Sequence, residues 1–288
     1  MHPGFQHLLI PDPLFGGNFP AIVQYPTLEP PRGVTVGPFT WTATLDAPLA
    51  PGRFPLCVIS HGGGGSHLLY RSLATHLACA GWLVVCPEAP RDNRNDRSLA
   101  FTDEALTHRC IHLSATVDAL LAHPRFGPAA DPRRIAIIGH SFGGCAALAL
   151  AGGQPWSRNG TPIPVQRDPR FRAAVLMAPA TAYFNAPSAL DEISLPLLVL
   201  AGEKDSLTPP REIQRTLRSL PSAVRHDIVV IPDAGHYSFL SPFPESLRRP
   251  DFPPSQDPDN FDREQFHREL PLIVERFLAL AFPPSPAP

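Results

Sequence analysis

From Arg53 onward the chain alternates two hydrophobic rhythms. Short, mostly apolar runs at Phe54–Ser60, Trp82–Cys86, Arg134–Gly139, Phe171–Met177, Pro196–Gly202 and Val224–Ile231 read as strands. They are continuous rather than alternating, the pattern of parallel strands covered on both faces. Between them, Tyr70–Cys79, Leu99–Leu121 and Pro209–Leu220 are predicted helices. In the second, Leu106, Cys110, Leu113, Val117, Leu120 and Leu121 step by threes and fours, which puts them on one face. Proline opens the third, where its fixed φ suits a first turn. A closing helix spans about Asp262–Ala281, and Pro271 is expected to kink or restart it. Strand and helix in alternation predict a doubly wound, mostly parallel α/β sheet.

The first 52 residues are less regular. Ala21–Tyr25 and Thr40–Leu45 read as strands at an antiparallel edge. Three excursions interrupt the alternation at strand ends: Glu88–Arg97, Gly152–Arg170 and Ser238–Asn260. None is long enough for a second domain. With 288 residues, 43% of them hydrophobic, the expectation is a single α/β domain over residues 1–282 and an unstructured proline-rich tail at 283–288. The 38 prolines are spread among apolar runs, as in rigid ordered loops.

Charge and cysteine content then narrow the classes. The formal net charge is −2 and no Lys/Arg cluster forms a nucleic-acid footprint. No apolar run reaches membrane-span length. Met1–Phe5 shows neither a charged nor an apolar secretory region, so a cytoplasmic location is expected. The five cysteines lack C-x-x-C spacing and sit mostly among apolar neighbours, as buried reduced thiols do. No H-E-x-x-H occurs and the histidines lack paired ligand spacing, so metal catalysis is not expected.

The candidate chemistry begins at Gly139-His140-Ser141-Phe142-Gly143, a G-x-S-x-G between a β-branched strand and the small-residue helix Cys145–Leu150. A serine on such a strand-to-helix turn has its hydroxyl pushed out above the sheet. Ser141 is the candidate nucleophile, and a serine hydroxyl needs a base. His236, in a Gly-His turn after the last strand, is the candidate among 12 histidines. His76, His108, His112 and His267 fall on helices, and His226 opens a strand.

The acid should lie between them. Asp205, after the strand ending at Gly202, is chosen to orient the imidazole, with Glu203 as its rival. Asp233 is too close to His236 in sequence to approach from a separate loop. An oxyanion hole needs two backbone N–H groups. Phe142, next to the nucleophile, and Gly63, in His61-Gly62-Gly63-Gly64-Gly65, are the candidates. A phosphate-loop reading of those glycines is weak, because neither G-x-x-x-x-G-K-[ST] nor G-x-G-x-x-G with a downstream acid is present.

In the order Ser141, Asp205, His236, with the glycine loop upstream, the chain resembles the α/β-hydrolase superfamily. The stretch FPLCVISHGGGGSHLLYRSLATHLACAGWLVVCPEAP, with GHSFGG, AGEKDSLTP and AGHYSFL, is similar to the predicted dienelactone hydrolase and platelet-activating-factor acetylhydrolase-like group. The resemblance implies a serine hydrolase of small-molecule carboxylic esters without metal or organic cofactor. Dienelactone hydrolases usually carry a cysteine nucleophile, whereas this chain has Ser141, which favours a general esterase. Leu68, Tyr183, Phe184, Tyr237 and Phe239 are candidate substrate contacts near strand ends. The alternatives are lactone, polyester or amide hydrolysis on the same residues, or a non-catalytic binding protein of the same fold.

Overall fold

The computed structural model describes residues 1–100 and 102–283, so most of the tail expected at 283–288 lies outside the described residues. The N-terminal part folds as β1 (His2–Pro11), β2 (Asn18–Thr27), β3 (Val34–Val36), β4 (Phe39–Trp41) and β5 (Thr44–Leu45). The alternation then runs β6 (Phe54–Ser60), α1 (Arg71–Cys79), β7 (Leu83–Pro87), α2 (Asp103–Ala122), β8 (Ala130–His140) and α3 (Phe142–Leu150). It closes with β9 (Phe171–Met177), β10 (Leu197–Gly202), α4 (Pro210–Leu217), β11 (His226–Ile231) and α5 (Arg263–Ala281). Nine strands form one sheet in the order β11-β10-β9-β8-β6-β7-β2-β1-β5. The run from β11 to β7 is parallel, while β2 is antiparallel to both β7 and β1. This is the mixed, mostly parallel sheet expected.

Adjacent strand residues point to opposite faces, so each central strand feeds two cores. Leu56, Val58, Ile135 and Ile137 join Leu106, Leu113 and Val117 of α2, Leu148 of α3 and Ile213 of α4. Cys57, Ile59, Ala136 and Ile138 join Leu73 and Leu77 of α1 and Leu270, Val274 and Phe277 of α5 on the other face. Helices on both faces explain why these strands read as unbroken apolar runs.

Several boundaries differ from the sequence reading. β1 was not legible, because Pro3, Gly4 and the polar Gln6 and His7 interrupt its pattern. It pairs with β2 along its whole length, from His2 opposite Thr27 to Pro11 opposite Asn18. The run Thr40–Leu45 is not one strand: Phe39–Trp41 pairs with β3 in a separate hairpin, and Thr44–Leu45 pairs with β1. α2 begins at Asp103 rather than Leu99, because the Thr102 side chain accepts from the Ala105 N–H and caps it. α5 runs through Pro271 without restarting. All five cysteines are free thiols. Among the described residues no helix is long and apolar enough to cross a membrane.

Candidate active site

The sheet delivers every candidate residue to the carboxyl ends of its parallel strands, where open α/β sheets place their sites. β8 ends at His140, and Ser141 turns at φ 54° and ψ −118° before α3 starts. A positive φ is costly for serine and persists only where the surroundings enforce it. The Ser141 N–H donates to Met177 O at 2.9 Å, and its carbonyl accepts from Ala180 and Cys145, both at 3.0 Å. The turn also needs bare flanks. A Cβ on Gly143 would stand 2.2 Å from Ser60 O, and one on Gly139 would stand 2.2 Å from Gly143 O.

Ser141 Oγ lies 2.9 Å from His236 Nε2, and His236 Nδ1 lies 2.8 Å from Asp205 Oδ2. A carboxylate only accepts, so Nδ1 carries the proton and Nε2 faces the serine O–H. The Asp205 side chain is fully buried and well satisfied. Its Oδ1 accepts from the Leu207 and Thr208 N–H groups, and Thr208 Oγ1 lies 2.7 Å from its Oδ2. Burial alone would raise its pKa, but the bonds from His236 and Thr208 outweigh it and hold Asp205 below the ordinary carboxylate value. Glu203 faces away, accepting the Asp233 N–H at 3.0 Å, while Lys204 pairs with Asp233 at 2.5 Å. Both tether the turn before His236.

In the glycine loop the Gly62, Gly64 and Gly65 amides are taken by Tyr70 Oη, Asp92 Oδ1 and Gly62 O. Gly63 is exposed, and its N–H has no partner among the described residues. A Cβ placed there would sit 3.7 Å from Phe142 Cβ, so the two candidate oxyanion donors are neighbours. The loop is stiffened from below. Arg109, an arginine on the buried face of α2, donates to His61 O at 2.6 Å and to Asp92 Oδ2 at 2.6 Å. His61 Nδ1 donates to Gly62 O at 2.7 Å, while its Nε2 accepts from the Ala89 N–H. The charged excursion 88–97 therefore supplies the floor of the glycine loop.

The candidate substrate contacts divide by burial. Tyr183 and Tyr237 are half-exposed and reach the site: Tyr183 packs edge-on to Phe142 at 6.1 Å, and Tyr237 edge-on to His236 at 5.2 Å. Phe184 and Phe239, each 1% exposed, are corrections. Phe184 is core beneath Gly153, and Phe239 packs on Phe266 and His140, so neither ring offers a surface to a ligand. Leu68 is likewise buried in the α1 and α5 core.

Sequence reasoning missed Thr208, Asp92, Arg109, His140 and Tyr70. Only Arg109 left a signal, a cation on the mostly apolar face of a helix. His140 and His267 are buried imidazoles whose pKa burial pushes down to about 3 and about 4. Unfolded imidazoles take up protons near 6.5 and these native ones do not, so their contribution to stability is complete above pH 6.5 and declines as pH falls toward those native values. The free energy of unfolding, measured by urea titration, should therefore drop between pH 7.5 and pH 5 by on the order of a few kcal/mol, and the midpoint with it, with a shallower drop in His267→Gln. A midpoint unchanged over that interval would contradict this.

A family model described as Chlorophyllase matches residues 36–158, less than half of the chain. The match holds the glycine loop, Arg109 and Ser141 and ends before Asp205 and His236. Among solved structures, a ferulic acid esterase from Streptomyces cinnamoneus superposes with TM-score 0.72 at 20% identity, covering 100% of this chain and 92% of that one. A putative dienelactone hydrolase from Klebsiella pneumoniae subsp. pneumoniae superposes with TM-score 0.59 at 17% identity, covering 95% of this chain and 98% of that one. The chain has the α/β-hydrolase fold.

Proposed function

We propose that this α/β-hydrolase-fold chain is a carboxylic ester hydrolase working through an acyl-enzyme on Ser141. The observation that carries the reading is the unbroken line from Ser141 Oγ through His236 to buried Asp205, at 2.9 and 2.8 Å. His236 takes the Ser141 proton as Oγ attacks the ester carbonyl. The oxyanion is held by the N–H groups of Gly63 and Phe142, each such donor contributing about 3 kcal/mol in comparable sites. His236 then protonates the departing alcohol, and water reverses the two steps. The esterase and hydrolase descriptions of the two structural neighbours support the same class.

Compact esters suit the surroundings best. The half-exposed rings of Phe142, Tyr183 and Tyr237 flank the serine. The 152–170 excursion is tied down rather than free to open, with Trp156 N–H on Tyr183 O at 2.7 Å and Gln154 N–H on Ala189 O at 2.7 Å. Across p-nitrophenyl esters, kcat/KM is expected to be highest for acetyl and butyryl groups and to fall toward dodecanoyl. A maximum at the long chains would overturn the compact-substrate reading. The Phe142–Tyr183 edge pair also offers an aryl acyl group a stacking surface, so a ferulate ester belongs in the same panel.

A further inference from the structure

Two buried histidines outside the Ser141–His236–Asp205 line repeat one arrangement. His140 Nε2 lies 2.9 Å from His236 O, and its Nδ1 lies 3.0 Å from Tyr70 Oη. His267 Nε2 lies 3.1 Å from Ser238 O, and its Nδ1 lies 2.9 Å from Ser72 Oγ. A carbonyl oxygen only accepts, so in each ring Nε2 must carry the proton. In a neutral imidazole the other nitrogen then accepts, and each hydroxyl must be a donor. The Tyr70 oxygen is left to accept the Gly62 N–H at 3.3 Å, and Ser72 Oγ to accept from Ser241 Oγ at 2.8 Å. Every proton in both relays thus has one consistent direction.

The hydroxyls stand at the start of α1, where Tyr70 is the N-cap residue. The same stretch binds the histidine turn twice more. Ser241 N–H donates to Leu69 O at 2.8 Å, and the Arg71 guanidinium donates to Pro242 O. One helix start therefore grips the segment from His236 to Pro242. Through Gly62 it also grips the glycine loop.

We infer that His140 and His267 are positioning residues for His236, holding the carbonyls of its own turn, with Tyr70 and Ser72 fixing the ring tautomers that allow it. The inference rests on the acyl-enzyme reading, because what is positioned is the approach of His236 Nε2 to Ser141. A misplacement of such a pair by about 1 Å can cost about a hundredfold in rate. Gly62 makes the coupling two-sided: the relay that orients the base also occupies the amide beside Gly63, and of the four glycine amides only that of Gly63 has no partner among the described residues.

The test compares Tyr70→Phe, Ser72→Ala, His140→Gln and His140→Asn with the unaltered chain. Readouts are the rate at which a fluorophosphonate adds to Ser141, kcat and KM for p-nitrophenyl acetate, and far-ultraviolet circular dichroism. Gln can carry an N–H to the place of Nε2, whereas Asn ends near Nδ1. The expectation is that folded Tyr70→Phe and His140→Asn lose about ten- to a hundredfold in kcat and in labelling rate, with KM nearly unchanged. His140→Gln should retain most of both. Ser72→Ala, which removes a single half-buried oxygen, repeats the test on the second relay should Tyr70→Phe not fold. Failure of the unaltered chain to be labelled at Ser141 would sink the acyl-enzyme reading itself. Normal labelling of the unaltered chain together with equal rates in the folded variants, or equal losses in His140→Gln and His140→Asn, would overturn the positioning role alone.

Discussion

Replacing Ser141 with alanine is expected to remove ester turnover by about a million-fold in kcat while leaving the fold intact. The size follows from the role. Without Oγ no acyl-enzyme forms, and His236 and Asp205 have nothing to activate; what survives is the modest rate supplied by binding and the oxyanion donors. The intact fold follows from the contacts. Among the described residues Ser141 Oγ bonds only to His236, and the serine side chain makes no capping bond to α3. The turn is held by its backbone, through Met177 O, Ala180 N–H and Cys145 N–H, none of which the substitution touches. Melting temperature and p-nitrophenyl acetate hydrolysis measured on one preparation check both halves. Substantial turnover in a folded Ser141→Ala protein would remove the serine from the chemistry.

Arg109→Leu should produce the largest loss of stability, about 3–5 kcal/mol. The guanidinium and Asp92 are buried together, their side chains 2% and 3% exposed. Removing the cation strands a carboxylate in a place water does not reach, and that unpaired charge rather than the lost attraction sets the cost. Arg109 also donates to His61 O, and Asp92 Oδ1 accepts the Gly64 N–H, so the glycine loop loses its support from two sides. Adding Asp92→Leu to Arg109→Leu should return much of the stability, since the stranded charge is gone. It should not return activity, because the Gly64 N–H and His61 O remain without partners. Urea denaturation and kcat measured across the double-mutant cycle separate the two effects. Full activity in the doubly substituted protein would show that the loop does not need this pair.

Much of the fold was legible because its strands are buried on both faces. An unbroken run such as Ile135–Ile138 has few other readings, and the order of Ser141, Asp205 and His236 follows from which strand each residue succeeds. What escaped the sequence reading was set by contacts across the fold. β1 is disguised by Pro3, Gly4, Gln6 and His7, and only its pairing with β2 reveals it. The true start of α2 did leave a signal in Thr102-Asp103-Glu104, a capping hydroxyl followed by two acids at the positive end of the helix. Phe184 and Tyr183 are neighbours of the same chemical type, yet one is core and the other faces the site. That distinction depends on the direction of a short turn, not on composition. Thr208, Asp92 and the hydroxyl of Tyr70 are ordinary polar residues until folding brings their partners to them.

The role of Ser141 as nucleophile is tested by intact-mass and peptide analysis of the chain after brief exposure to a fluorophosphonate and, separately, to a p-nitrophenyl ester under acid quench. One adduct per chain, phosphonyl or acyl, is expected on the peptide carrying Ser141, and none in Ser141→Ala. Ester turnover with Ser141 unmodified, or an adduct carried instead by another residue such as Cys145, would contradict it.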